Sequence, residues 1–425
     1  MIPRLGNFFP WLTSGSSGGG SHTAFTAGVL KRILKENKKS YDIAAISGTS
    51  GGAICALLTW YGLLTGGNDK AARLLDSFWK DISANTFGDM LLNEWFVGTS
   101  RMQNKGYAIP QISPYLYPPF AQEYLRTLIE KHVEFEKIKA FTNPQPELLV
   151  GAVDALSGDF NVFKNSRITS DVILASAAIP TFLQAVPVDK YLFCWNNIPG
   201  ADNEKLMEFL KRDFNIEWAE NAKIEKIDNG NIIRVYKGTN SLLLELNDKK
   251  TSVCLKINKN KTYECIVKMQ NEELAIFKKS DYWDGLFSQN PPVRDFISGI
   301  DEKPDEIWVI QINPKTHKKL PESIEAIAHR RNELSGNLSL YQEIFFIEKV
   351  NEWIEKGYFE KTKANYKPIQ VRFIKMLREL NLETKLDRSP EFIEEMKSYG
   401  ETQAGEFLRQ PAKRHNEGLR NLVVQ

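Results

Sequence analysis

The spacing of apolar residues along the chain changes twice and divides it into three parts. In the first part, a short apolar strand at residues 44–47 runs through a glycine-rich turn into an apolar helix. In the third part, residues 322–355 have the pattern of a helix that breaks at Gly336. Three further apolar runs are predicted to be strands, at residues 148–153, 306–312 and 371–376. Strands that alternate with helices predict an α/β fold in which a largely parallel sheet is covered by helices.

The middle part, residues 191–279, has a pattern of its own. Asp202 is a suitable N-cap for a helix, and residues 228–231 have the Asp-Asn-Gly-Asn sequence of a tight hairpin. Apolar and polar positions then alternate through three more runs, at residues 242–246, 253–257 and 263–269. This pattern predicts one helix and an antiparallel meander of about five strands, which we interpret as an autonomous α+β module inserted between residues 1–190 and residues 280–425.

Composition excludes several classes of function. The chain has 55 Lys and Arg against 53 Asp and Glu, so its net charge of +2 gives no reason to expect a nucleic-acid partner. Its four cysteines lack C-x-x-C spacing, which favours reduced thiols in a cytoplasmic protein over a disulfide framework or a zinc site (Cys55, Cys194, Cys254 and Cys265). The longest apolar run, residues 53–64, is too short to cross a bilayer. We therefore expect no metal or cofactor, and at most peripheral contact with a membrane.

The most informative motif is the Gly-x-Ser-x-Gly at residues 48–52, which lies between an apolar strand and an apolar helix. In that context the motif predicts a nucleophile elbow, in which Ser50 stands on a sharp strand-to-helix turn. We expect glycine at positions 48 and 52 because side chains there would crowd the turn. The N–H of Gly51 and the positive end of the helix dipole are suited to stabilise a developing oxyanion.

A second glycine-rich segment, residues 18–20, precedes the first predicted helix. Backbone N–H groups in such a loop are suited to a phosphate cradle, a dinucleotide loop or an oxyanion hole. The Walker pattern is absent, and the dinucleotide pattern fails because Thr23 occupies its third glycine position. A flexible linker is the plain alternative, but the helix directly behind the loop favours an oxyanion site.

Together these segments resemble the patatin-like phospholipases. The glycine triplet at the first helix and the elbow serine about thirty residues later are in the order of that family. Residues 175–180 (Ala-Ser-Ala-Ala-Ile-Pro) resemble the family's Ala-Ser-x-Ala-x-Pro segment, and Asp284-Gly285 resembles its Asp-Gly motif. The resemblance covers about residues 5–190 and 280–425.

The resemblance implies a three-layer α/β/α fold and a serine acyl hydrolase that cleaves carboxyl esters of lipids without a metal. It implies that Ser50 is the nucleophile and Asp284 the base, in a dyad without histidine. It also implies that backbone N–H groups hold the oxyanion (Gly18, Gly19, Gly20 and Gly51). The family usually has arginine and glycine where this chain has His22 and Thr23. We expect His22 to support the loop rather than to act as the base.

Other assignments stay open from the sequence. An isolated Asp-Gly is most often a turn. Asp154 and Asp159 are rival bases, although the Leu-Ser-Gly between them favours a turn. An α/β-hydrolase triad would take its histidine from downstream of Asp284 (His317, His329 or His415). Aromatic residues of the first part are candidates for an acyl pocket or for the core (Trp60, Tyr61, Phe78, Trp79, Phe87 and Trp95).

A different class of function is also compatible with the chain: a non-catalytic binding or scaffold protein on a hydrolase core, with residues 191–279 as its interaction module. The partner of that module is not readable from its sequence, and its lysines are expected to form a solvated face.

Overall fold

A computed structural model describes residues 20–36, 41–105, 107, 112–180, 182–257, 261–270, 273–287, 292, 304–358, 367–378, 380–410 and 420–424. The chain forms two compact units. The first consists of Met1–Val186 and Asp281–Gln425, and the second of Pro187–Ser280. The bounds of the second unit are close to those predicted for the module, residues 191–279. Its assignment as a module inserted into a hydrolase stays a prediction.

The elements are numbered in chain order within the described residues. The helices are α1 (Ala24–Lys35), α2 (Gly51–Ile82), α3 (Phe87–Asn104), α4 (Phe120–His132), α5 (Phe135–Lys139), α6 (Ser170–Ser176), α7 (Asn203–Phe214), α8 (Ile324–Glu355) and α9 (Pro390–Arg409). The strands are β1 (Tyr41–Gly48), β2 (Glu147–Asp154), β3 (Phe160–Lys164), β4 (Val186–Cys194), β5 (Lys223–Ile227), β6 (Ile232–Lys237), β7 (Asn240–Leu246), β8 (Ser252–Ile257), β9 (Lys261–Gln270), β10 (Glu273–Asp284), β11 (Glu306–Gln311), β12 (Gln370–Lys375) and β13 (Arg420–Val424).

The sheet of the first unit is largely parallel. Its strands follow the order β12-β11-β13-β1-β2, and every neighbouring pair in that series is parallel. Strand β3 and the last three residues of β10 pair with β2 in the antiparallel sense. Because β1 and β2 are parallel neighbours, the elbow that follows Gly48 lies at the carboxyl edge of the sheet, beside the second half of β2. The α/β fold class is therefore confirmed.

Helix α8 packs on this sheet and does not break at Gly336. Its inward side chains Leu340, Ile344 and Ile347 share a buried cluster with Ala45 of β1 and with residues of β2 and β11. One glycine inside a helix costs only about 1 kcal/mol relative to alanine. The predicted break was wrong because packing of the inward face outweighs that penalty.

The second unit contains α7 and an antiparallel meander, β5 to β10, with β4 paired to β10. The meander has six strands rather than five, because β10 adds residues from 273 onward to the predicted series. The hairpin at Asp228–Gly230 joins β5 and β6, and Asp228 and Asn229 have positive φ as tight turns require. Alternate residues of the strands, such as Ile233 and Leu244, form the core beneath α7.

Asp202 precedes α7 as predicted but does not cap it with its side chain. One carboxylate oxygen accepts hydrogen bonds from the Cys194 N–H, at 2.7 Å, and from the Tyr191 hydroxyl, at 3.1 Å. The other oxygen pairs with Lys205. The side chain therefore ties β4 to the start of the helix instead of satisfying the helix N–H groups.

Neither a bilayer-spanning helix nor a cluster of metal ligands is present among the described residues. Within the ranges given above, no helix combines the length and apolarity that a bilayer-spanning segment requires. Over the same ranges, His, Cys, Asp and Glu side chains form no group of three placed to hold a metal ion.

Candidate active site

Ser50 stands on the turn between β1 and α2. Its φ of 58° and ψ of −131° lie in a region that residues with side chains rarely adopt. A Cβ atom on Gly48 would lie 2.3 Å from the Gly52 carbonyl oxygen, so only glycine fits at position 48. A Cβ on Gly52 would meet nothing within 4 Å. The predicted crowding of the turn is therefore correct for Gly48 and wrong for Gly52.

Ser176 holds this turn in place through hydrogen bonds. The Ser50 N–H donates to the Ser176 carbonyl oxygen and to its Oγ, both at 3.1 Å, and the Ser176 hydroxyl donates to the Gly151 carbonyl at 2.7 Å. The N–H of Ser50 is thus engaged in holding the elbow. The N–H of Gly51, at the first position of α2, stays the predicted donor to an oxyanion. The sequence showed Ser176 as part of a motif but gave it no role.

Asp284 is the last residue of β10 and is fully buried. Its N–H donates to the Ala178 carbonyl at 2.9 Å, and its Oδ1 accepts from the Leu286 N–H at 2.9 Å. A Cβ on the next residue, Gly285, would lie 2.3 Å from the Gly151 carbonyl oxygen and 2.9 Å from Cγ2 of Thr49. This close approach brings the Asp-Gly segment against the residue that precedes Ser50.

The carboxyl group of Asp284 has unusual acid–base properties. Burial raises its pKa to about 7, and hydrogen bonding from the Leu286 N–H and the Ser50 hydroxyl opposes this rise only in part. Oδ2 is buried and has no hydrogen bond of standard geometry to another described residue. Catalytic hydrogen bonds often tighten only when substrate binds. A carboxylate with a pKa near neutrality is a much better base for a hydroxyl than an ordinary aspartate.

The glycine loop meets the elbow through Thr23. Gly18 and Gly19 lie outside the described residues, and Gly20 begins a short 3₁₀ helix, Gly20–Thr23, that leads into α1. A Cβ on Gly51 would lie 2.5 Å from the Thr23 hydroxyl oxygen. The described end of the loop therefore contacts the residue whose N–H we assign to the oxyanion.

His22 belongs to the same 3₁₀ helix and is buried. Its Nε2 lies 2.8 Å from the Thr384 hydroxyl, and neither Ser50 nor Asp284 is among its hydrogen-bond partners. Burial and then the charge of Lys385 hold the pKa of His22 well below its usual value, so the ring is neutral. These contacts agree with support of the loop, which stays a prediction.

The rival bases have other contacts. His317 and His329 both face Glu333, at 2.8 and 3.4 Å, and His415 lies outside the described residues. The Asp154 carboxylate accepts hydrogen bonds from the N–H groups of Leu156 and Ser157, which is the geometry of a turn. The Asp159 carbonyl accepts from the Asp154 N–H in the same turn.

The six aromatic candidates divide between two environments. Trp60, Tyr61, Phe78 and Trp79 are buried in the core of the first unit. Phe87 and Trp95 lie exposed on α3, with exposed fractions of 77% and 61%. Tyr282 and Leu286, two positions before and after Asp284, are also buried.

Comparison with known proteins finds one matching family. The family model described as Patatin-like phospholipase matches residues 16–195, a range that contains the glycine loop, Ser50 and Ser176. None of the curated proteins matches the chain. Asp284 lies beyond the matched range, and its place beside the elbow comes from the structure. Residues 16–195 are therefore similar to the patatin-like phospholipases.

Proposed function

We propose that this protein is a serine hydrolase that cleaves carboxyl esters of lipids through an acyl-enzyme on Ser50, with Asp284 as the base. One observation carries the proposal: a fully buried carboxyl group with a pKa near 7 lies beside a serine on a strained turn. Backbone strain of this kind is found at functional sites more than elsewhere. The similarity of residues 16–195 to the patatin-like phospholipases supports a lipid ester as substrate.

In the first half of the reaction, Asp284 accepts the hydroxyl proton of Ser50 while the Ser50 Oγ attacks the ester carbonyl carbon. The N–H of Gly51 and the glycine loop (Gly18, Gly19 and Gly20) stabilise the oxyanion of the tetrahedral intermediate. When the intermediate collapses, the bond to the alcohol oxygen breaks, and Asp284 gives its proton to the leaving alkoxide. The acyl group remains on Ser50.

In the second half, Asp284 is ionised again and accepts a proton from water as the water oxygen attacks the acyl carbon. Collapse of this second intermediate releases the carboxylic acid, and the proton held by Asp284 returns to the Ser50 Oγ. A single carboxylate serves both steps because its pKa is close to the working pH. The neutral His22 takes no part in the proton transfers.

We further propose that α3 lies against the lipid surface. One face of this helix is buried through Asn93, Phe96 and Val97. The opposite face exposes Phe87, Leu91, Trp95 and Met102 at helical spacing. An exposed apolar stripe with aromatic residues is suited to the interface of a bilayer. The four cysteines are free thiols, which supports a cytoplasmic location.

The dyad is tested with a serine-directed fluorophosphonate probe and a set of ester substrates. We expect wild type to react, Ser50→Ala to give no labelling, and Asp284→Asn to react about 10²- to 10⁴-fold more slowly, the range of a lost general base. Ser47→Ala is the matched control, because Ser47 is a buried serine of β1, three residues before Ser50, with no hydrogen-bond partner for its hydroxyl among the described residues.

The outcomes separate the alternatives. Labelling that persists in Asp284→Asn but not in Ser50→Ala would assign the base to another residue. A folded wild-type protein that neither reacts with the probe nor hydrolyses any ester would overturn the proposal and favour a binding or scaffold protein.

Membrane contact is tested by sedimentation with phosphatidylcholine vesicles. We expect the double variant Leu91→Ser, Trp95→Ser to bind at least tenfold more weakly, because burial of one large apolar side chain contributes about 1.5–3 kcal/mol. Phe345→Ser is the control, since Phe345 is exposed on α8. Equal binding of the double variant and wild type would exclude α3 as the contact face.

A further inference from the structure

A second cluster of ionisable side chains is buried in the first unit, outside the dyad. Lys385 and Glu333 are 4% and 2% exposed, and His329 and Asn313 are buried beside them. The cluster joins three parts of the chain: α8, the segment after β11, and the short 3₁₀ turn Leu382–Lys385. No step of the proposed reaction uses it, and no motif in the sequence indicated it.

His329 bridges the lysine to the glutamate. The Lys385 Nζ lies 2.5 Å from the His329 Nε2 and 3.5 Å from the Asn313 Oδ1. The His329 Nδ1 lies 3.4 Å from the Glu333 Oε1. Burial, followed by the charge of Lys385, lowers the pKa of His329 to about 2, so the ring is neutral. A protonated lysine can only donate, so the Nε2 accepts from Lys385 and the Nδ1 carries the proton that faces Glu333.

Glu333 is the common anion of the cluster. Its second oxygen lies 2.8 Å from the His317 Nε2 and 3.1 Å from an Arg330 guanidinium nitrogen. The Arg330 guanidinium also donates to the Pro314 and Lys315 carbonyls. Desolvation makes a buried ion pair a weak source of stability. A fully connected network of this kind instead fixes the geometry of the segments that it joins.

The turn that carries Lys385 also contacts the glycine loop. A Cβ on Gly20 would lie 2.3 Å from the Lys385 carbonyl oxygen, so the two main chains touch there. One residue earlier, the Thr384 hydroxyl is 2.8 Å from the His22 Nε2. Two successive residues of the turn thus hold two residues of the loop, and Thr23 of the same loop packs against Gly51.

We propose that Lys385 is a positioning residue of the active site: held by His329 and Glu333, it fixes the turn Leu382–Lys385 and thereby the place of the glycine loop beside Ser50. This inference rests on the proposed hydrolase function. Lys385 does not touch the reacting atoms. It acts through the main chain of Gly20, whose distance from the oxyanion decides how well the loop stabilises it.

The charge state of Lys385 gives this role a measurable signature. Burial lowers its pKa to about 8, and the charge of Glu333 opposes that effect. The other polar groups that face the cluster are His22 from the loop, Arg330 from α8, and His317 and Asn313 from the segment after β11. As pH rises through about 8, Lys385 loses its proton and its hold on the turn loosens. The hydrolysis rate is therefore expected to fall on the alkaline side.

The experiment measures the rate constant of fluorophosphonate labelling, and kcat and KM on a short ester, from pH 5 to 10. We expect Lys385→Met to lower the labelling rate and kcat about 10- to 100-fold, the cost of a misplaced reacting geometry, while KM changes less than threefold. We expect Glu333→Gln to move the alkaline fall of the wild-type rate to lower pH, because a lysine without its anion loses its proton more readily.

The matched control is Lys397→Met. Lys397 is also a buried lysine of the first unit and pairs with Asp76 and Glu394, at 2.7 and 2.6 Å, neither of which belongs to the loop. Its replacement is expected to lower the melting temperature but to leave the labelling rate and the pH profile unchanged.

The proposal is overturned if folded Lys385→Met labels at the wild-type rate, or if Glu333→Gln keeps the alkaline fall at the wild-type pH. If Lys385→Met does not fold, the pH profile of Glu333→Gln decides alone. Failure of wild type to label at any pH contradicts the hydrolase function instead, so the two failures are distinguishable.

Discussion

At the scale of single residues, the backbone conformation of Ser50 destabilises the folded state. A non-glycine residue at φ 58° and ψ −131° costs about 1–3 kcal/mol, which the surrounding structure must offset. We expect Ser50→Gly to unfold at higher temperature than Ser50→Ala, with about 1 kcal/mol more stability, because only glycine relieves the backbone. Both variants lack the hydroxyl and are expected to be inactive. Thermal unfolding of the pair measures the strain, and equal melting temperatures would show that position 50 is relaxed.

The raised pKa of Asp284 predicts opposite pH trends for activity and stability. As the base, Asp284 must be ionised, so kcat/KM should fall as pH drops through about 7. In the unfolded chain the same group titrates near pH 3.9. Between about pH 4 and pH 7 only the folded state binds this proton, so the contribution of Asp284 to stability is lost as pH rises through that window.

Asp284→Asn tests this sign directly. The amide has no proton to lose, so the variant should be more stable than wild type at pH 8, by up to about 4 kcal/mol at roughly 1.4 kcal/mol per pKa unit. At pH 4 the two proteins should differ little. Urea unfolding at both pH values makes the measurement, and a constant difference between them would mean that burial does not raise this pKa.

At the scale of elements, the two glycines that frame Ser50 have different roles in the strand-to-helix turn. Gly48→Ala should lose about 2 kcal/mol or more, because its Cβ would overlap the Gly52 carbonyl. Gly52→Ala, in the first turn of α2, should keep or gain up to about 0.5 kcal/mol, because its Cβ points into open space and alanine favours helix. Thermal unfolding compares the two, and similar losses would place both glycines under the same steric constraint.

The elements of the fold were largely predictable because each has a local signature. The strand, glycine turn and helix around Ser50 follow one another within a short segment, and the alternation in the second unit is regular. The prediction failed where contacts with a neighbouring element outweigh the local pattern. Gly336 stays helical because α8 packs on the sheet, and the Asp202 side chain binds β4 instead of capping α7. The Lys385–His329 contact joins residues 56 positions apart without a shared motif. In the sequence, His329 precedes two arginines of a predicted helix, and nothing there indicates a contact with Lys385.

At the scale of the whole molecule, Pro187–Ser280 has its own core, formed by α7 and the meander. We expect this unit, expressed alone, to fold and to unfold cooperatively. Calorimetry should give an unfolding enthalpy of about 65 kcal/mol, from roughly 0.7 kcal/mol per residue. Leu244→Asp places a charge in that core and should abolish the transition. A wild-type fragment without a cooperative transition would show that the unit depends on the rest of the chain.

The pairing of β10 with β2 has a consequence for synthesis on the ribosome. Ser50 and its elbow are translated early, whereas Asp284 follows roughly 230 residues later, at the far end of the strand that leaves the second unit. At about 5–20 residues per second, the ribosome needs roughly 10–50 seconds to reach it. Until Tyr282–Asp284 pairs with β2, the nascent chain carries the proposed nucleophile without its proposed base. The proposed hydrolase is therefore expected to be inert while it emerges among the cell's own lipids.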